Sequence, residues 1–164
     1  MKKILVFVGA VFLFFGCKKN EHLQFEKIIF HTSFCMGECP TYHLEIDKSK
    51  KVKLYSEQVY IEHDKFMYET DHSKVGYFTG AISDSIYSML VKELKKCGID
   101  TLTFKDVTCY DGSIKTIIVY YNGRRKYLKS MDTPEIARPL ISLLRNICQS
   151  KYLHRTQEKF KIEE

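Results

Sequence analysis

Apolar and polar positions divide the chain into stretches of different period. Ile4 to Phe15 run apolar, broken only by Gly9, behind Lys2 and Lys3. At helical rise such a run spans ~18 Å, well short of the ~30 Å hydrocarbon core, so it reads as a secretion signal and not as a permanent span. From Leu23 the period shortens. Phe25, Ile28, Ile29 and Phe30 form a first apolar run. Tyr42, Leu44 and Ile46 alternate with Thr41, His43, Glu45 and Asp47, and Val52, Leu54 and Ser56 alternate beyond Lys48 to Lys51. That period of two predicts a hairpin of half-buried strands. Gln58 to Asp71, rich in Tyr, Ile and Phe, is expected to hold another strand with a loop.

Gly76-Tyr77-Phe78-Thr79-Gly80 reads as punctuation. The period then lengthens. Ser83 is placed to cap a helix, with Asp84 in its first turn and Ile86, Leu90, Val91 and Leu94 on one face. Lys95 and Lys96 suit its C-terminal end and Gly98 its stop. A linker through Cys109 and Gly112 leads to an apolar run, Ile114 and Ile117 to Tyr121. Asn122-Gly123 is the strongest hairpin signal in the chain, and Tyr127 and Leu128 lie on the return strand. Thr133-Pro134 predicts a second helix start, with a stripe of Ile136, Leu140, Leu143, Leu144 and Ile147. Pro139 interrupts the stripe and marks where the regular helix begins. The charged segment from Gln149 is expected to fray. Runs of strands followed by single helices predict an α+β fold: an antiparallel β-sheet built from hairpins, with two helices packed on one face. The expected divisions are a signal at 1–16, a lipidated tether at 17–23, one α+β domain at 24–150 and a charged tail at 151–164.

The end of the signal changes the picture most. Phe14-Phe15-Gly16-Cys17 lacks the small residue at −3 that ordinary secretory cleavage wants, and it resembles a lipobox. The resemblance implies diacylglycerol on the Cys17 thiol, cleavage before it and acylation, as by palmitate, of the new amine. Two or three acyl chains anchor stably, because each buried methylene contributes ~0.8 kcal/mol. The membrane, through the Cys17 lipid, is therefore the expected partner. Lys18 and Lys19 after the anchor are basic, which favours an outer-membrane lipoprotein facing the periplasm over one on the cell surface. The net charge of +6 includes the two signal lysines. The remaining excess is scattered, densest at Lys48 to Lys51 and Arg124 to Lys126, both at predicted turns. No basic face with groove-reading elements is present, so nucleic acid is not an expected partner.

Six cysteines are present, and assigning Cys17 to lipid leaves Cys35, Cys39, Cys97, Cys109 and Cys148. An oxidising compartment permits disulfides, and an odd number leaves at least one thiol over. Proximity favours Cys35 with Cys39, then Cys97 with Cys109, with Cys148 a small apolar helix residue. Three readings of Cys35-Met36-Gly37-Glu38-Cys39-Pro40 compete. The first is a structural disulfide or tight turn, with Gly37 in an unusual backbone conformation and Pro40 starting a strand. The second is thiol redox chemistry, although three intervening residues and a following strand provide no helix N-terminus to lower a thiol pKa. The third is a soft-metal site for copper or zinc, with Cys35 and Cys39 as thiolate ligands and His31 or His43 nearby. Its C-x3-C-P spacing resembles the copper-carrying loop of cytochrome-oxidase assembly factors of the Sco type, which continues into a helix where this chain continues into a strand. The other histidines are scattered, and there is no HExxH, GxSxG, phosphate loop or GxGxxG. No cofactor and no catalytic residues are expected. A non-enzymatic binding or structural module is the leading expectation, and a thiol or metal-handling protein the alternative.

Ile28-Ile29-Phe30-His31-Thr32, then Cys35-x-Gly37-x-Cys39-Pro40-x-Tyr42 before an alternating strand, resembles the start of domain of unknown function 6438. Such domains are small and common in Bacteroidetes lipoproteins. Gly76-x-Phe78-x-Gly80, the helix, the Ile-rich hairpin and the closing helix are similar in order, and Asp111 would be the acidic residue before the second hairpin. The resemblance spans roughly residues 24–150. It implies a compartment and a fold, and no activity.

Overall fold

The structure, a computed structural model, describes residues 23–61, 69–106 and 111–164. The signal, Cys17 and Cys109 lie outside the described residues. Seven strands form one antiparallel sheet: β1 (Phe25–Thr32), β2 (Thr41–Asp47), β3 (Lys51–Gln58), β4 (Gly76–Ala81), β5 (Lys115–Tyr121), β6 (Arg124–Ser130) and β7 (Leu153–Arg155), in the order β6-β5-β1-β2-β3-β4-β7. Two helices, α1 (Asp84–Lys96) and α2 (Arg138–Cys148), pack against the sheet. The fold is α+β, as the alternation of periods predicts.

Both expected hairpins form. Asn122 and Gly123 turn β5 into β6 with φ of 50° and 68°, the left-handed pair that matches the twist of the flanking strands. Between β2 and β3, one oxygen of Asp47 accepts from the backbone of Ser49 and Lys51 at 2.8 and 3.1 Å, which fixes the turn around them. The Ser83 hydroxyl caps α1 by accepting from the Ile86 amide at 3.3 Å. At the second helix the regular turns begin beside Pro139, as expected. Thr133-Pro134 leads into a single 3-10 turn, Glu135–Ala137, and the α-helix begins at Arg138 with Pro139 in its first turn. A proline is tolerated there because that turn's amides have no intrahelical acceptor.

The main core lies between sheet and helices. Ile28, Phe30, Leu44, Ile46, Val52 and Leu54 face Leu90, Leu94, Leu140 and Leu144, all buried. Each such side chain contributes roughly 1.5–3 kcal/mol on burial.

Three expectations are corrected. Gly76 to Gly80, read as punctuation, belong to strand β4, which pairs with β3; of Gln58 to Asp71, expected to hold a strand, residues 62–68 lie outside the described residues and the rest show an isolated bridge, Tyr60 to Thr70. Glycine is required at position 80 because the chain returns directly over it: a Cβ would meet the Tyr152 carbonyl oxygen at 2.6 Å. Second, the segment from Gln149 does not fray. Leu153, His154 and Arg155 pair with Gly80, Thr79 and Phe78 as β7. The chain then crosses the face of the sheet opposite the helices, where Ile162, 6% exposed, packs on Ile29 and Ile118. Third, Gly37 has no positive φ, and a Cβ there would make only ordinary contact, at 3.7 Å with the Cys35 sulfur.

Candidate functional site: the open face of the sheet

On the face away from the helices, register sets a row of rings. His31 lies opposite His43, His43 opposite Tyr55, and Tyr55 opposite Tyr77, across β1, β2, β3 and β4. Every second residue of a strand shares a face, and directly opposed residues touch, so these four form a continuous ladder. Ring centroids are 5.0, 5.6 and 4.6 Å apart; the histidines meet edge-on and the last two pairs stack. Phe160 from the crossing segment closes the row, edge-on to Tyr77 at 5.1 Å.

The two histidines anchor a polar chain. Nε2 of His31 is 2.8 Å from the Glu163 carbonyl oxygen, and its Nδ1 is 2.9 Å from Nδ1 of His43. Nε2 of His43 lies 3.4 Å from the Glu57 carboxylate. A carbonyl only accepts, so Nε2 of His31 donates to it. In a neutral His31 ring Nδ1 then accepts, and Nδ1 of His43 is the donor. Burial, ahead of the neighbouring His43, holds the pKa of His31 below its ordinary 6.5, against a smaller opposing effect of the bond to Glu163.

The crossing segment is held mainly by side chains. The Glu163 carboxylate accepts from the Tyr120 hydroxyl, from Lys27 at 3.3 Å and from Arg125 at 3.2 Å. The Tyr120 hydroxyl first, with Lys27 and Arg125 adding to it, keeps this carboxyl below the ordinary 4.5. Two clefts flank the segment. One, about 440 Å³, runs past Tyr55, Tyr77 and Phe160. The other, about 500 Å³, lies between His31, His43 and Glu57 on one side and Phe34, Tyr127 and Lys129 on the other.

The loop between β1 and β2 forms the rim of this second cleft. Cys35 and Cys39 are joined in a disulfide, as their proximity in sequence predicts. Thr32 clamps the base of the loop: its hydroxyl donates to the Pro40 carbonyl at 2.7 Å and accepts from the Tyr42 amide at 2.9 Å. The staple buries Cys35 and turns Phe34 (59%) and Met36 (75%) out to solvent.

The other proposed site residues are dispersed. Cys97 carries a free thiol at the end of α1, donating to the Leu94 carbonyl, and burial pushes its pKa up to about 11. Its expected partner, Cys109, lies outside the described residues. Cys148 is also a free, buried thiol, at the end of α2, as expected of a small apolar residue. Of the metal set drawn from Cys35, Cys39, His31 and His43, the cysteines are bonded to each other and the histidines to each other. Among the described residues no group of three His, Cys, Asp or Glu is placed to hold a metal ion. Glu163, Phe160 and Ile162 lie in the segment expected to fray, and no local pattern marks the part they play. Its trace in the sequence is the unbroken run Ile28-Ile29-Phe30 and again Ile117-Ile118-Val119, apolar on both faces where a sheet open on one side would alternate.

The fold and its loop thus define a small α+β domain with helices on one face and a self-covered, cleft-bearing face on the other. A family model described as Domain of unknown function (DUF6438) matches residues 26–149, and the chain belongs to that family. No curated protein matches it. The matched region closes with α2, so β7 and the crossing segment lie beyond it.

Proposed function

We propose that the protein is a lipid-anchored, non-enzymatic binding module that holds a protein partner at the envelope membrane, with the disulfide-loop end of the open face as its contact surface. The observation that carries this reading is the cleft of about 500 Å³ behind the exposed Phe34. A rigid loop presenting solvent-exposed Phe34 and Met36 beside a polar cleft combines an apolar anchor with a rim that fixes orientation. The lipobox-like Phe14 to Cys17 supplies the anchor, and basic Lys18 and Lys19 favour the periplasmic side of the outer membrane. Two measurements test it. Cys17→Ser should release the protein from sedimented membranes, and continued sedimentation would sink the anchor. A photocrosslinking residue at position 34 should give a discrete adduct in cells that the same residue at Met89, exposed on α1, does not. Equal or absent crosslinking from the two positions would remove the contact surface.

One observation favours a second reading, in which the cysteine pair does thiol or soft-metal chemistry. Arg145 lines a cleft of about 300 Å³ with Cys39 and Pro40, and a cation there would favour a thiolate once the disulfide is reduced. Alkylation and mass spectrometry after exposure to glutathione separates the two. The binding reading expects the Cys35–Cys39 bond intact throughout; free thiols at both positions favour the second.

A further inference from the structure

A separate cavity of about 190 Å³ lies on the helix side of the sheet, between β3, β4 and the end of α2. Leu54, Val59, Phe78 and Leu153 give it apolar walls. Ser56, 1% exposed, also lines it, and among the described residues its hydroxyl has no hydrogen-bond partner. A buried hydroxyl left without a partner is disfavoured and rare, and it calls for an explanation. Ser56 stands directly opposite Tyr42 in the β2–β3 register, so both hydroxyl-bearing side chains enter the cavity side by side. Among the described residues the Tyr42 hydroxyl accepts only a long contact from Gln149, at 3.5 Å, which leaves its own proton available.

We infer that this cavity is a binding site for a small uncharged molecule with an apolar body and one carbonyl or hydroxyl oxygen, received by Ser56 and Tyr42. Size follows from volume: an apolar cavity of ~150 Å³ takes up benzene, so this one suits a ligand on the order of six to ten non-hydrogen atoms. Neutrality follows from the surroundings. The C-terminal end of α2, at Cys148 and Gln149, disfavours an anion. Lys74, on the rim, is already paired with Asp71 at 2.9 Å. Apolar walls exclude a cation. Burial raises the pKa of Tyr42 above its ordinary 10.0, so the phenol stays a donor at neutral pH. The inference is independent of the open-face reading, since the two sites lie on opposite faces of the sheet.

The test is a titration of the methyl-labelled full chain with cyclohexanone, using cyclohexane as the probe without an oxygen. Saturable shifts are expected at the Leu54, Val59 and Leu153 methyls, with cyclohexanone bound about tenfold tighter, the effect of a hydrogen bond recovered in an apolar site. Ser56→Ala and, separately, Tyr42→Phe should reduce that preference while cyclohexane binding persists. Ser56→Ala should also leave the unfolding midpoint unchanged or higher, because it removes an unpaired hydroxyl. No saturable shift at these methyls, or an undiminished preference in both variants, would overturn the assignment.

Discussion

At the scale of single residues, the most informative position is His31. Its ring spans from the Glu163 carbonyl to His43, and burial holds its pKa below 6.5. The unfolded chain therefore binds a proton at His31 before the folded protein does. The contribution of this residue is complete above the ordinary pKa and is lost as pH falls through the lower folded value. Urea midpoints measured at pH 7 and pH 5 should thus fall toward acid, and His31→Gln, which does not titrate, should reduce the fall. Parallel profiles for the two proteins would contradict this account. Both histidines are plain in the sequence as possible ligands. Their partnership is not, because it depends on the β1–β2 register, which the clamped loop from Thr32 to Tyr42 sets and no local period reveals.

Elements show the same division between local and distant causes. The two hairpins and the α1 cap were readable because each rests on residues within a few positions of one another: alternation, Asn122-Gly123, and Ser83 before Ile86. Strand β4 was hidden because its flanking glycines imitate a break. Their purpose is set some seventy residues away, where β7 passes over Gly80. Gly80→Ala should accordingly displace β7 and cost roughly 1–3 kcal/mol, as overpacking does. Gly37→Ala provides the contrast. Its backbone is outside the left-handed region and its nearest neighbour is 3.7 Å away, so a change within about 0.5 kcal/mol is expected. Equal losses in urea denaturation would show that the close approach of β7 does not govern Gly80. The second face of the sheet is the third such case. Ile29 and Ile118 belong to readable strands, but nothing near them in sequence names Ile162 as their cover.

For the whole molecule, that cover decides how the sheet meets solvent. Helices close one face, and the chain's own segment closes the other by crossing from Tyr77 on β4 to Arg125 on β6. Its hold is divided between a small apolar cluster at Ile162 and the polar hub at Glu163, with Phe160 on the edge of Tyr77. Leu153 on β7 packs against the main core, whereas Phe160 and Ile162 belong to the separate cluster on the other face, so the main core should survive loss of the crossing segment alone while the open face should not stay dry. Ile162→Ala should cost about 2 kcal/mol, at the lower end of such truncations because the cluster is small and sits at the surface. Ile136→Ala, at a side chain 56% exposed, should be nearly silent. Ending the chain after Thr156 keeps β7 and uncovers Ile29 and Ile118 together. It should retain the far-ultraviolet signature of the fold while gaining binding of an apolar dye. If dye binding does not rise although the segment is gone, the crossing segment is not what shields that face, and the clefts beside it lose their physical basis.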